Sequence, residues 1–409
     1  MSISARSRWR RRVVLLLLAM LAARASADEI RIGMSAPFSG ASRLLGIELY
    51  RGSMACFEEV NRAGGIHGRS IRLIAYDDAY EPEKTIENTI RLVEQDDVQL
   101  LYGYAGSATI TRALPLLKLY ENRHQSLFFP LAGSEAMHRP PYDRFVFNLR
   151  APLSVEAAGL VDNFFRKGRR RIAVFYQVDA FGRSGWSGVR DALSGHGLRM
   201  ACEATYHRHA TYSTSMSEQV AHLRRSTPDA VICVATHSAA AAFIRDARDA
   251  GWDVPIAAVS RASYDSLFAL LREAETASGK DYTSNVICAH TVPSYQNLDL
   301  PAVREYRALM EAHPPQLPHG LASEGYESLR YSCFGFEGFL DAKLVVEVLR
   351  RVGPNFDRRA LRQAAESVKN FDLGISDPVS FGPNSHDGLR RVYYASVTDG
   401  QFLPVPGWR

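Results

Sequence analysis

Two kinds of hydrophobic spacing alternate along the chain. Short apolar runs suited to strands, IRIGM at 30–34, IRLIAY at 71–76 and VQLLYG at 98–103, are each followed by a stretch with apolar residues at helical spacing. The helix predicted over 45–61 uses Leu49, Met54, Phe57 and Val60, and it stops at Gly64-Gly65, where glycine takes the left-handed cap conformation without steric cost. Ile86, Ile90 and Val93 give a second helix, over 83–94, one apolar face. A helix over 109–122 and a short strand over 127–129 complete this run. After a boundary near 148–152 the rhythm resumes, with strands over 171–176, 199–206, 230–235 and 255–259 and helices over 185–195, 216–224 and 239–250. Regular β-then-α alternation predicts parallel sheets covered by helices on both faces, and two such runs predict two similar lobes. Ligands of open parallel sheets bind beyond the carboxyl ends of the strands, so the loops that follow each strand are the places to look for a site. A late apolar helix over 333–349 carries Glu337, Asp341, Lys343 and Glu347, which assigns it to a protein interior.

The N-terminus sets the compartment. Arg6, Arg8, Arg10, Arg11 and Arg12 precede the apolar stretch Val13 to Leu21, which is too short to span a bilayer, and Ala25-Ser26-Ala27 follows with the small-x-small pattern of a cleavage site. Residues 1–27 therefore read as a signal peptide cut after Ala27. No Cys follows to carry a lipid anchor, and the expected product is a soluble periplasmic protein without stable membrane insertion. Removing six arginines and no acid takes the formal charge from +5 to −1. The basic balance thus belongs to the signal and gives no support for nucleic-acid binding, which needs a clustered basic face. The remaining length is too great for one core and implies two domains. Cys56, Cys202, Cys233, Cys288 and Cys333 are scattered, odd in number and set in apolar surroundings, so they read as buried thiols, although one disulfide is possible, with at least one thiol left over.

Motifs for catalysis are missing. The sequence has neither the glycine-rich phosphate loops of nucleotide sites nor a nucleophile elbow; the nearest segment, Gly182-Arg183-Ser184-Gly185, has the wrong spacing. His207 and His209 share a face at strand spacing, but no third metal ligand is placed, and surface histidines are the simpler reading. Asp77 and Asp78 end a strand and point to opposite faces, which makes them a poor acid–base couple and better suited to a turn or a lobe contact. No enzyme activity, cofactor or metal is expected.

Several segments resemble one known family. IRIGMSAPFSG, GIELYRGSMACFEEVNRAGGIHGR, IRLIAYDDA, LLYGYAGSAT, FFPLAGSEAM, RIAVFYQVDAFGRSG, the stretch from Pro228 to Pro255 and VSFGPNSHDG are similar, in order, to the type I periplasmic solute-binding proteins of the leucine/isoleucine/valine class. The resemblance implies an α/β fold of two Rossmann-like lobes with parallel sheets joined by a three-strand hinge, lobe 1 being 28–149 plus 293–389 and lobe 2 being 150–292 plus 390–409. It also implies capture of a small-molecule ligand in a Venus-flytrap cleft and delivery to the permease of an ABC importer, with a ligand-sensing receptor subunit as the alternative. Carried over position by position, the ligand's carboxylate would meet Ser107 with Gly106 and Ala108, then Ala132 and Ser134, while Leu45, with Arg43 and Leu44 near it, would lie by the side-chain pocket. Ser107 and Ser134 have a second reading as helix caps. In lobe 2, Phe181 and Thr236 stand where tyrosines are common, His237 is adjacent, and Ser260 replaces the acid that holds an α-ammonium. Phe181 reads equally as lobe core, and Arg261 as a solvated surface charge or a contact to an anion. Two cysteines that often clip the first lobe are replaced by Tyr80 and Ala105. The loss of the acid favours carboxylates over amino acids and amides as ligand.

Overall fold

In the computed structural model, residues 29–321, 325–354, 356–398 and 401–409 are described, and the export segment read over 1–27 lies outside them. The first run of elements forms five parallel strands: β1 (Glu29–Ala36), β2 (Ser70–Asp77), β3 (Leu100–Tyr102), β4 (Leu127–Phe128) and β5 (Val146–Phe147). Their spatial order is β2-β1-β3-β4-β5. Helices α1 (Arg43–Arg62), α2 (Pro82–Glu94) and α3 (Ser107–Leu119) connect the first four. The second run supplies α4 (Leu153–Arg166), β6 (Ile172–Gln177), α5 (Ala180–Gly195), β7 (Cys202–Tyr206), α6 (Ser217–Arg225), β8 (Ala230–Val234), α7 (His237–Asp249), β9 (Ile256–Ala258), α8 (Tyr264–Ser278) and β10 (Val286–His290). The chain then returns to the first sheet with α9 (Pro301–Ala312), α10 (Cys333–Val352) and α11 (Arg358–Glu366). It ends on the second with β11 (Tyr393–Thr398) and β12 (Gln401–Pro404). Among the described residues no helix is long and apolar enough to cross a membrane.

Side-chain alternation sorts each sheet between two helical layers. On the first sheet Leu100, Tyr102, Phe128 and Phe147 pack with α1 and α10, while Leu101, Leu127 and Val146 pack with Leu92 of α2 and with Ile110 and Leu114 of α3. On the second, Phe175 and Cys233 meet Phe243 of α7, whereas Val174 and Ile232 meet Leu160 of α4 and Val189 of α5. The second sheet has seven strands in the order β12-β11-β10-β9-β8-β6-β7. It is not wholly parallel, as the alternation had implied: β11 runs antiparallel to β10, and β12 to β11. The βα rhythm ends at β10, and no crossover helix packed on this sheet precedes β11 to impose the parallel direction. The chain passes between the sheets three times: after β5, after β10 and before β11.

The sequence reading started α5 five residues late, at Gly185. Asp179 caps this helix by accepting from the N–H groups of Phe181 (2.9 Å) and Gly182 (3.2 Å). The glycines that looked like loop punctuation are there for close approach. A methyl on Gly182 would overlap the Gln177 carbonyl, and one on Gly185 would run into Val234, so the helix lies tight on β6 and β8. The same device joins α1 to α10, where a methyl on Gly52 would overlap the Gly335 carbonyl oxygen and one on Gly338 the Leu49 carbonyl. All five cysteines are free thiols.

Asp77 and Asp78 part company at the end of β2, as strand alternation requires. Asp77 accepts from the N–H groups of Phe38 (2.7 Å) and Ala79 (2.8 Å), a turn role. Asp78 is fully buried and accepts from Ser35 Oγ (3.0 Å), Thr85 Oγ1 (3.0 Å) and the Tyr80 N–H (2.9 Å). Burial raises its carboxyl from the ordinary 3.8 to about 7.

Two predictions follow from this packing. Gly52→Ala forces backbone against backbone at the α1–α10 crossing and should cost roughly 3 kcal/mol of stability, read as a lower urea midpoint at unchanged slope. Asp78 ionises near 3.8 in the unfolded chain and near 7 in the folded one, so between those values the folded state alone holds the proton. Its contribution to stability therefore falls as pH rises through that window. Asp78→Asn, which cannot ionise, should gain on the wild type from about pH 4 to about pH 7; parallel stability curves would contradict this.

Candidate functional site

The loops beyond the strand ends of the two sheets meet. Arg208, after β7, donates from Nη1 to the Tyr80 carbonyl (3.4 Å) in the loop after β2. His209 Nε2 lies 3.1 Å from Glu81 Oε1 in the same loop, and α3 touches α5. His207 and His209 fall beyond the end of β7, with His209 at φ 68°, so the shared strand face read for them does not exist.

On the first sheet's side the site is built by the loop after β3. Gly106 takes φ 114° and lies so close to the Tyr80 ring that a methyl there would overlap it. Gly106 is the N-terminal cap residue of α3, so Ser107 and Ala108 are its first two residues, and the N–H groups of that first turn lack intrahelical acceptors. Neither Ser107 nor Ser134 caps a helix with its hydroxyl, which sets aside the second reading of these two buried serines. Ser134 Oγ lies 3.5 Å from Thr111 Oγ1, and Thr111 in turn donates to the Ser107 carbonyl (2.6 Å), so both serines flank the first turn of α3. The Ala132 N–H donates to the Pro130 carbonyl (2.9 Å). Leu45 is buried in the first turn of α1 as part of the main hydrophobic cluster.

On the second sheet's side a hydrogen-bonded chain sets the loops. The Thr236 N–H donates to Tyr206 Oη (3.0 Å), which donates to Gln177 Oε1 (3.1 Å), and the Gln177 amide donates to Asp179, the cap of α5. Phe181 and His237 are thereby fixed in the first turns of α5 and α7. His237 is half-buried, and burial together with the Arg261 charge holds it down to about 4.

Arg261 is not a solvated charge. It is only 4% exposed, in the loop after β9, with its guanidinium carbon 5.1 Å from the Tyr80 ring centre and 5.9 Å from that of Phe181. Its Nε, Nη1 and Nη2 have no hydrogen-bond partner among the described residues. A desolvated cation–π contact contributes about 2 kcal/mol, whereas an uncompensated buried ion costs several kcal/mol. The stacking alone does not offset that cost. Ser260 sits next to Arg261 yet faces elsewhere: its N–H and Oγ donate to Glu156 (2.8 and 2.9 Å), and its Oγ accepts from Arg150 Nη2 (2.6 Å).

Gly106 and Arg261 thus converge on Tyr80, with Phe181 on Arg261 and His237 within reach of the Arg261 charge, Ser107 and Ser134 gather at the first turn of α3, and Ser260 belongs to a separate buried network. The sequence reading missed Tyr80, noted only as a replaced cysteine. Its signal is position, two residues beyond Asp78 in a strand-end loop, where a non-glycine residue takes φ 65°.

Comparison with known proteins agrees with this architecture. A family described as "Periplasmic binding protein" matches residues 29–401. A Leu/Ile/Val-binding protein homolog 7 from Brucella melitensis is 25% identical over 374 residues, 87% of this chain and 86% of that one. Two crystal structures are similar throughout. One, of "a possible leucine/isoleucine/valine-binding protein" from Rhodopirellula baltica, has a TM-score of 0.81 and 27% identity, covering 93% of this chain and 96% of that one. The other, of a substrate-binding periplasmic protein from Ralstonia solanacearum, has a TM-score of 0.79 and 26% identity, covering 92% and 100%. Sequence, fold and strand-end loops lead to one conclusion: the chain belongs to the periplasmic binding protein family, a family of substrate-binding proteins and not of enzymes.

Proposed function

We propose that this protein is the extracytoplasmic solute-capturing component of an ABC importer, taking a small carboxylate or amino-acid-like solute between two lobes and presenting the closed form to the permease. Lobe 1 is 28–149 plus 293–389, and lobe 2 is 150–292 plus 390–409. The division is supported by the two sheets and the three passages between them. The observation that carries the reading is the loop after β3. There, first-turn amides of α3 and a Ser107 hydroxyl unused for capping stand at the strand ends, which is what a desolvated carboxylate needs. Closure works by differential affinity: contacts from both lobes exist together only in the closed form, so a ligand that makes them shifts the population towards it.

A thermal-shift screen of residues 28–409 against amino acids, aromatic acids and short aliphatic acids tests this. A solute at one hundred times its Kd adds about 2.7 kcal/mol, a clear rise in melting temperature. Ser107→Ala should weaken binding of a carboxylate hit about tenfold and leave the ligand-free melting curve unchanged. Unaltered affinity would remove Ser107 from the site, and no response to any class would overturn solute capture.

A further inference from the structure

The loops that meet between the sheets hold a set of hydrogen-bond donors with nothing to receive them. Arg261 offers five N–H groups and no acceptor. None of its three nitrogens makes a hydrogen bond of ordinary geometry among the described residues, and the buried Tyr80 hydroxyl, which lies near Arg261 and Gln177, makes none either. The carboxylates of the surrounding elements are engaged elsewhere. Asp78 receives Ser35, Thr85 and the Tyr80 N–H. Asp179 receives Gln177 and the first turn of α5. Glu81 faces His209 and Arg208, Glu156 receives Ser260, and Asp265 receives the Cys333 N–H. His237 is kept neutral by burial and by Arg261 itself, and carries no negative charge in any state. Whatever complements this set supplies acceptors and negative charge. It also contacts both lobes, because Tyr80 comes from the loop after β2 and Arg261 from the loop after β9.

We propose that Arg261 is the counter-charge of the transported solute, and that the solute is a carboxylate anion without an ammonium group. The proposal rests on the solute-capture reading above and names its substrate class. The planar guanidinium fork takes a carboxylate through two parallel bonds, and the Tyr80 hydroxyl adds a third from the opposite lobe. An α-amino acid brings an ammonium to a cleft whose unpaired charge is already positive. Ser260, next to Arg261, has its hydroxyl bound to Glu156 and Arg150 and offers an ammonium no carboxylate. The same charge pairing gives a reason for closure, since the anion meets Arg261 and Tyr80 together only when the lobes are shut.

Calorimetric titration of residues 28–409 with two matched pairs tests the proposal: 4-methyl-2-oxopentanoate against leucine, and benzoate against benzamide. In at least one pair the anion should bind about 30-fold more tightly than its partner. Arg261→Gln should cost that anion about 30-fold or more, and Arg261→Lys, which keeps the charge but loses the fork, about tenfold. Ligand-free Arg261→Gln should melt at or above the wild type, because it removes an unpaired buried charge. A lower melting temperature with unchanged anion affinity would make Arg261 a structural residue and overturn the proposal. Leucine or benzamide bound equally by wild type and Arg261→Gln would overturn it while leaving solute capture intact. A panel to which neither protein responds would overturn this proposal, while solute capture stands or falls on the wider thermal-shift screen.

Discussion

One buried guanidinium ties the two sheets together. Arg150 lies on the first passage between them, and it is 3% exposed. It donates to Ser260 Oγ (2.6 Å) in the loop after β9 and to Thr291 Oγ1 (3.1 Å) on the second passage. It pairs with Glu337 of α10 at 3.4 Å and with Glu156 of α4 at 4.0 Å. Elements of both halves thus converge on a single cation. Glu156, Glu337 and neighbouring Asp341 are all pushed up by desolvation, and the Arg150 charge pulls each of them back. Breaking such a group from one side strands the remaining charge in a medium that cannot solvate it. The passages are therefore held in place.

Two of the buried arginines, 150 and 261, show how differently the same residue type is handled a short distance apart. Arg150 is surrounded by carboxylates and hydroxyls. Arg261 is given aromatic faces and, among the described residues, no acceptor in hydrogen-bonding geometry. The first arrangement meets its charge within the protein, although Arg150 Nε makes no hydrogen bond, and suits a pivot; the second has no ion-pair partner among the described residues and suits a binding surface. Ser260 stands between them in sequence and belongs by its bonds to the first.

Much of the architecture was legible because it rests on local rules. The period-two strands and period-3.6 helices, and the glycines that end α1, placed most of the first sheet and the core of the second. Where reading failed, the deciding partner lay far away in the chain. Gly182 and Gly185 looked like a break until β6 and β8 were seen to press against them. The antiparallel β11 and β12 depend on the chain returning from the other sheet. Arg261 was read as solvated or anion-binding because nothing local distinguishes a surface arginine from one enclosed by Tyr80 and Phe181. Ser260 was expected at the ligand, and nothing local revealed its partner Glu156, 104 residues away. Family resemblance supplied the serines of the α3 turn, and the structure added that neither is used as a cap.

The return of the chain to both sheets has a bearing on biosynthesis. The first sheet is covered on one face by α10, and the second gains β11 and β12 from residues beyond 390. The backbone at Arg409 is fastened to Asn163 of α4 by two hydrogen bonds, and Trp408 packs on Phe164 and Tyr394. A ribosome or translocon that releases the chain from its amino end cannot deliver a finished first half and then a second. Each half waits for a late segment, α10 for the first sheet and β11 with β12 for the second, so long-range contacts pace folding. Until that segment arrives, β10 remains an open edge, and whatever escorts the nascent chain must shield it.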